Sequence, residues 1–173
     1  MKKLLSQEKF YLFGMGKRPK MIWKNHCLFE LKNGRVMACF DENLPVELQP
    51  DRYRVQMGED AVWEDESGLY LRQNGRMQVL SREPVSLPDF EPSPYAPLMR
   101  TLHHDLLVSV VDGKPLPNPL VYRKPWYRDS AMMAMAFQQT GNLEQIRQWI
   151  LSLDDPYDRN NHGVEETDNL GQA

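Results

Sequence analysis

The chain has 173 residues, enough for one ordinary domain or two small ones. Hydrophobic residues at 41% and charged residues at 26% exclude an intrinsically disordered chain. The 21 basic and 24 acidic residues form no basic stripe, and no apolar run approaches the ~20 residues of a membrane span, so we expect neither a nucleic-acid partner nor a membrane partner.

The first half of the chain predicts short antiparallel strands. Asn33-Gly34 and Asn74-Gly75 each lie between apolar runs, and Ser67-Gly68 marks a further turn. Asn-Gly is a strong hairpin signal because a type I′ turn needs positive φ at both central residues. We therefore predict an antiparallel β-meander of six or seven strands, in an N-terminal domain that covers residues 1–90.

The pattern changes after a proline-rich connector at residues 83–97, where the missing N–H groups of proline disfavour helix and sheet. Beyond it, four apolar residues recur every four positions and predict the buried face of a helix: Leu98, Leu102, Leu106 and Val110. We place a helical domain at residues 91–173.

Two further helices are predicted in this second domain. One covers residues 130–139, includes a methionine run expected in the core, and stops at Gly141. The next begins at a capping box formed by Asn142 and Gln145, and carries an apolar stripe that ends at Leu153. Three helices offer few partners for their apolar faces, so we interpret the chain as a truncated helical layer.

The two cysteines, Cys27 and Cys39, have no metal-binding spacing and are too few for a disulfide framework. We expect two buried free thiols rather than a bridge between paired strands. The apolar run at the N-terminus stops after Leu4-Leu5, short of the ~7–15 residues of a signal-peptide core. A cytoplasmic location is therefore predicted.

The densest group of chemically useful side chains precedes the second helix, at Trp126, Arg128 and Asp129. An indole can stack on the C–H face of a sugar ring, while arginine donates hydrogen bonds to hydroxyl groups and aspartate accepts them. The same residues have a structural interpretation, because Asp129 or Ser130 can cap the helix and Trp126 can belong to the core. Spacing alone leaves both interpretations open.

A second group of candidates lies near the C-terminus. Glu165 and Glu166 precede a predicted helix that includes Asp168, where carboxylates can transfer protons, bind a sugar or simply favour the positive end of the helix dipole. No metal and no cofactor are expected, since His162 lacks the second histidine of a known metal signature. Adjacent His103 and His104 point about 100° apart on a helix, so we interpret them as surface or rim residues.

At these two groups the chain resembles the six-hairpin glycosidase superfamily. The resemblance covers residues 95–173 and consists of Trp126-Tyr127-Arg128-Asp129 at the start of a helix, the turn at 140–142, Trp149, and the segment 166–172. It implies an α+β protein in which the β-meander precedes the first helical hairpins of an incomplete (α/α)6 toroid. It also implies sugar contacts for Trp126, Arg128, Asp129 and Asp168.

From these features we expect a carbohydrate-active protein related to glycoside hydrolases and catalytically incomplete in this chain. Hydrolysis needs two carboxylates, one on each side of the scissile bond, and Glu165 and Glu166 are the local candidates. The alternative is a non-enzymatic module that associates with a partner or with a second copy through exposed helix faces. The motifs do not distinguish hydrolase, phosphorylase and epimerase.

Overall fold

Two antiparallel sheets form the first half of the computed structural model, which describes residues 9–122, 124–155, 157–159 and 163–165. The first sheet contains, in spatial and chain order, β1 (Phe10–Phe13), β2 (Met21–Lys24), β3 (Cys27–Glu30) and β4 (Val36–Cys39). The second contains, again in order, β5 (Val46–Gln49), β6 (Arg54–Met57), β7 (Asp60–Asp65), β8 (Gly68–Gln73) and β9 (Arg76–Ser81).

The predicted turn signals mark observed hairpins. Asn74 and Gly75 have φ values of 51° and 74° and join β8 to β9, where Gln73 pairs with Arg76. This is the positive φ pair that a type I′ turn requires. Residues 66–67 join β7 to β8, and the hairpin between β3 and β4 turns at Asn33-Gly34. A hairpin therefore occurs at each of the three predicted positions, but of these three only Asn74-Gly75 has the pair of positive φ values, and Gly68 is already the first residue of β8.

The two sheets bury one shared hydrophobic core, which we call the sheet core. Side chains of a strand alternate between its two faces, so every second residue points inward. Both sheets contribute such residues: Phe13, Met21, Trp23 and Leu28 from the first, and Val55, Met57, Val62 and Leu69 from the second. Burial of this apolar surface is the main stabilising contribution in this half of the chain.

The second half contains short helices and one small hairpin. The helices are α1 (Ala96–Val108), α2 (Tyr127–Gln139) and α3 (Arg147–Leu151). Short 3-10 helices lie at Pro50–Arg52 and Leu143–Gln145. The small hairpin pairs β10 (Val110–Val111) with β11 (Lys114–Pro115).

The predicted toroid is wrong, and with it both the α+β fold class and the resemblance to the six-hairpin superfamily. The described residues form a β-rich protein with sheets of four, five and two strands, and their three helices do not build helical hairpins. The physical reason is that the apolar faces of the helices pack against the β-rich half of the chain. Leu107, Phe137 and Ile146 pack together with Met15 and Tyr53 from the β-rich half, in a cluster that we call the helix core.

The predicted buried face of α1 is wrong at Leu98 and Leu102, whereas Leu106 packs partly against the helix core and Val110 is buried but lies in β10. Leu98 and Leu102 are 55% and 53% exposed, whereas His103 and His104 are buried. Apolar periodicity identified a helix but not the face that turns inward. Each histidine has a polar partner, Asn142 for His103 Nε2 and Glu64 for His104 Nε2, which compensates for part of the lost hydration, while His103 Nδ1 is buried without a hydrogen bond.

The predicted capping box at residues 142–145 is not formed. The buried Asn142 side chain accepts a hydrogen bond from Ser86 N at 2.9 Å and donates one to Ser86 O at 2.8 Å. Gln145 accepts a hydrogen bond from Lys17 N at 3.1 Å. Both side chains are therefore used for contacts with distant segments, and the chain begins a 3-10 turn in place of a regular helix.

The expectation of free thiols is wrong as well. Cys27 and Cys39 lie directly opposite each other on β3 and β4, with their Cα atoms 4.1 Å apart, and form a disulfide. The hairpin places them in register, which sequence spacing alone did not establish.

None of the helices in the described part of the chain has the length and apolar character needed to cross a bilayer.

Candidate functional site

The candidate site lies where the chain enters α2. Trp126 has extended backbone geometry, with φ −115° and ψ 133°, and the helix begins at Tyr127. The amide of Tyr127 donates a hydrogen bond to Asp158 Oδ2 at 3.0 Å, so a carboxylate from a later segment binds the helix N-terminus. Ser130 does not fill this role, since it is buried and its hydroxyl lies 3.4 Å from Pro115 O, and Asp129 lies within the first turn, whereas Trp126 is the N-cap residue.

A cavity of about 230 Å³ opens beside this helix start. It is lined by Pro117, Tyr122, Trp126, Arg128 and Asp129. The lining therefore combines two aromatic rings, a guanidinium and a carboxylate. Such a set offers an apolar face together with both a donor and an acceptor of hydrogen bonds.

The two aromatic rings of the cavity meet edge to face. The Tyr122 and Trp126 ring centroids are 6.0 Å apart at an interplanar angle of 71°. Lys124 Nζ lies 5.5 Å from the Trp126 ring centroid, within the range of a cation–π contact. These contacts restrain the half-buried indole and leave the cavity bordered by a positive charge as well as by the Asp129 carboxylate.

Three of the predicted site residues are thus brought together, namely Trp126, Arg128 and Asp129. Glu165 does not line the cavity: it accepts a hydrogen bond from the Arg159 guanidinium at 2.7 Å. The Arg159 carbonyl accepts a bond from Lys124 Nζ at 2.8 Å, which links the Glu165 segment to the border of the cavity. Glu166 and Asp168 lie outside the described residues.

Two residues that contribute to the site, Tyr122 and Asp158, were not predicted from the sequence. Tyr122 carries a usable signal, an aromatic residue four positions before Trp126 in an exposed segment. Asp158 carries none, because a cap supplied from 31 residues away leaves no local pattern. Burial raises the pKa of the Tyr127 hydroxyl, and the nearby carboxylates of Asp155 and Asp158 raise it further.

The histidine pair forms a different, fully buried cluster. The interpretation as surface or rim residues is wrong: His104 is stacked between Tyr11 and Tyr53, with ring centroids at 5.4 Å on both sides. Its Nε2 lies 3.2 Å from Glu64 Oε1, and Arg18 reaches the other oxygen of Glu64 at 3.1 Å. We call Arg18, Glu64 and His104 the buried triad.

The backbone amides of the loop after β1 complete this cluster. Gly14 N and Met15 N donate to the two Glu64 oxygens at 2.8 and 2.9 Å. Arg18 donates further bonds to several backbone carbonyls, including Gly68 O at 2.9 Å. Because these groups satisfy each other and join residues of both sheets to α1, the buried triad connects the sheets to α1 structurally.

The ionisation of the triad follows from these contacts. Burial opposes the charge of Glu64, but the His104 hydrogen bond and the nearby positive charges outweigh it, so the pKa of Glu64 is lowered. Burial likewise opposes the charge of His104, but the carboxylates of Asp105 and Glu64 outweigh it and raise the pKa of His104. His103 lacks such a partner, and burial lowers its pKa to about 4.

Comparison with known proteins assigns no relative: no family model matches the chain, and no curated protein or solved structure shows significant similarity to it.

Proposed function

We propose that this protein binds a carbohydrate in the cavity beside the start of α2. The supporting observation is that Trp126, Arg128 and Asp129, which were singled out for sugar chemistry, line one cavity together with Tyr122. The proposal depends on this shared lining and on no relationship to a glycosidase family.

The chemistry of the lining suits a pyranose ring. The indole and phenol rings provide flat apolar surfaces for the C–H face of a sugar. Arg128 donates hydrogen bonds to hydroxyl oxygens, and Asp129 accepts them from hydroxyl groups. At about 230 Å³ the cavity is smaller than the roughly 300–1,000 Å³ of sites for drug-sized ligands, so it suits one sugar unit rather than a long oligosaccharide.

Sugar processing stays a prediction. Glycoside hydrolysis uses two carboxylates separated by about 5–9.5 Å across the scissile bond. Asp129 is the one carboxylate in the lining of this cavity, and Glu165 is paired with Arg159. Binding is therefore the activity that the cavity supports best, and the catalytic roles of Glu165 and Glu166 stay untested.

Replacing Trp126 by alanine tests this proposal. We expect the variant to bind its sugar at least about ten-fold more weakly, which corresponds to about 1.4 kcal/mol, because the stacking surface is lost. The measurement is calorimetric titration of the wild type and the variant with a panel of hexoses and pentoses. Asp129→Asn keeps the shape of the side chain but adds a donor, so it should weaken binding while preserving the fold.

Trp63 provides the matched control. Like Trp126 it is half-buried and contacts a tyrosine ring, here in a stacked arrangement with its centroid 5.3 Å from that of Tyr70, but it lies on β7 and does not line the cavity. Trp63→Ala should leave sugar affinity unchanged. Equal affinity of the wild type and Trp126→Ala, or no heat of binding with any sugar of the panel, contradicts the proposal.

Self-association is the second candidate function, and one face of α1 favours it. Tyr95, Leu98, Met99 and Leu102 are all exposed and follow the i, i+3, i+4, i+7 spacing of a single helical stripe. A contiguous apolar stripe on a surface favours contact with another molecule. The occupant that we propose is a second copy of the chain, with the two stripes packed against each other.

Light scattering over a concentration series tests the association. We expect the mass to rise with concentration in the wild type, and Leu98→Glu combined with Leu102→Glu to keep the chain monomeric, because two charges would be buried at the interface. Met77→Glu, at an exposed methionine on β9, is the control and should associate like the wild type. A monomeric wild type at every concentration excludes self-association.

The cytoplasmic location stays a prediction, and one of its two supports is lost. It depended on free cysteines, whereas Cys27 and Cys39 are joined in a disulfide. Structural disulfides persist mainly in oxidising compartments. Counting the alkylated cysteines in protein purified with an alkylating agent present decides whether the cell maintains the two cysteines as free thiols or as a disulfide.

A further inference from the structure

Strand β9 forms one edge of the five-stranded sheet. It pairs with β8 and, among the described residues, has no strand on its other side. Its six residues make it longer than β1, β4 and β5, the four-residue strands at the other edges of the two large sheets. Proteins commonly protect an open edge with charged side chains or proline, and the stretch from Met77 to Leu80 contains neither. The edge is therefore available to a further strand.

The register of the hairpin identifies the backbone groups that β8 leaves unpaired. Opposite residues of an antiparallel pair alternate between hydrogen-bonded and non-hydrogen-bonded positions, and the pair that closes the two-residue turn, Gln73 with Arg76, is hydrogen-bonded. Met77 and Val79 therefore occupy non-hydrogen-bonded positions, and their N–H and C=O groups point away from β8. Met77 is 66% exposed, so an extended peptide can reach this edge.

The side chains of β9 divide between the two faces of the sheet. Gln78 lies opposite the buried Leu71, so Gln78 and Arg76 are on the face of the sheet core. Met77 and Val79 are on the outer face, because side chains alternate along a strand. A strand added to this edge would likewise present alternate residues to the two faces.

A cavity of about 560 Å³ borders the same edge. Its lining comes from β8, β9 and the turn between them: Leu71, Gln73, Asn74, Arg76, Met77 and Gln78. The amide of Gln73 already donates to Cys39 O at 2.6 Å, which leaves the amides of Asn74 and Gln78 beside the Arg76 guanidinium. These groups donate hydrogen bonds, and the lining contains no carboxylate, so the cavity suits an acidic side chain.

The wider surroundings of β9 are also positive. Residues 72–82 include Arg72, Arg76 and Arg82 and no acidic residue. The carboxylate of Asp60, which reaches this hairpin, is buried and accepts a hydrogen bond from Asn74 N at 2.8 Å. In an antiparallel pair of two β9 strands centred on Val79, Arg76 of each copy would face Arg82 of the other, and like charges directly opposite each other are destabilising. The charge of this edge therefore favours an acidic partner over a second copy of the chain.

We propose that the β9 edge binds an extended acidic peptide segment of another protein, which adds to the sheet as an antiparallel strand. The peptide backbone exchanges hydrogen bonds with Met77 and Val79, and an acidic side chain enters the cavity beside Arg76. Main-chain hydrogen bonds provide affinity in this mode of recognition, and the alternate side chains provide specificity. The edge belongs neither to the sugar cavity nor to the apolar stripe of α1, so this interaction is independent of both.

Fluorescence anisotropy with short labelled peptides and the full chain tests the proposal. The probe is a peptide in which glutamate and valine alternate, and replacing its glutamates by glutamine should weaken binding at least about ten-fold, because the charge that pairs with Arg76 is lost. N-methylation of the valines should weaken binding by a similar factor, since residues opposite Met77 and Val79 direct their N–H groups at β9. N-methylation of the glutamates should change the affinity by no more than about two-fold, because those N–H groups face solvent.

Two variants of the protein test the same contacts from the other side. Arg76→Gln should abolish the preference for the glutamate peptide over the glutamine peptide, whereas Arg52→Gln, at an exposed arginine outside this edge, should retain it. Val79→Pro removes an N–H group that points away from β8, a position where an edge strand tolerates proline, and should lose the peptide. If Val79→Pro does not fold, the peptide series with the wild type still decides the outcome.

Each part of the proposal has its own contradicting outcome. Equal affinity for the glutamate and glutamine peptides overturns recognition of an acidic side chain. Equal effects of methylation at valine and at glutamate overturn strand addition. No binding of the glutamate peptide overturns the proposal as a whole.

Discussion

Replacing Glu64 with alanine is expected to lower the free energy of unfolding by about 3–5 kcal/mol, the usual cost of removing one partner from a buried ion pair. The Glu64 and Arg18 side chains are both fully buried and 3.1 Å apart. Without the carboxylate, the Arg18 charge, the Gly14 and Met15 amides and His104 lose their common acceptor. Domains have total stabilities of about 5–15 kcal/mol, so this loss is a large part of the total.

Urea denaturation followed by circular dichroism measures this effect. Glu47 on β5 is the matched control, because it is a glutamate on a strand of the same sheet with an exposed side chain. Glu47→Ala should change the free energy of unfolding by no more than about 0.5 kcal/mol. If Glu64→Ala costs no more than this control, the buried triad does not connect the two halves of the chain as we describe.

The second large effect is expected at His104. Replacing it by glutamine keeps a donor for Glu64 but removes the titrating charge and the ring between Tyr11 and Tyr53. At pH 6 we expect a loss of about 2–3 kcal/mol, typical of hydrogen bonds to charged groups. Chemical denaturation of the wild type and His104→Gln at matched pH values measures this loss.

The pH dependence of this loss identifies its cause. The pKa of His104 is raised from 6.5, so its stabilisation is complete below 6.5 and is lost as the pH rises through the folded-state value. The pKa of Glu64 is lowered from 4.5, so its stabilisation is complete above 4.5 and is lost as the pH falls through its folded-state value. The pair therefore stabilises the fold most between these two values.

The difference between wild type and His104→Gln isolates the histidine, whereas the wild-type profile alone does not. Lys20 has a pKa lowered to about 7, so its own contribution rises with pH and opposes that of His104. We expect the stability difference between the two proteins to shrink from pH 6 to pH 9. A difference that stays constant over this range shows that His104 acts through packing and not through its charge.

The candidate site was partly predictable. The pattern Trp126, Arg128, Asp129 identified residues that share one cavity, because all three lie at one helix start and local geometry keeps them together. The contribution of Tyr122 and the helix cap from Asp158 depend on how separate segments fold together.

Local conformational preference is what the sequence by itself determined. Asn74 and Gly75 adopt the pair of positive φ values of a hairpin turn. This preference is intrinsic to asparagine and glycine and does not depend on distant contacts. Asp112 and Gly113 adopt the same pair, at φ 49° and 73°, so the small hairpin of β10 and β11 also has a local sequence signal.

Only the tertiary structure decided which faces are buried and which polar groups are paired. Apolar spacing assigned Leu98 and Leu102 to the core, yet α1 buries His103 and His104, where Asn142 and Glu64 compensate for part of their lost hydration. Such compensation requires partners about 40 residues away, and a helical period carries no information about them. The toroid prediction was wrong for a similar reason, because the apolar faces of the helices pack against the β-rich half of the chain and not against further helices.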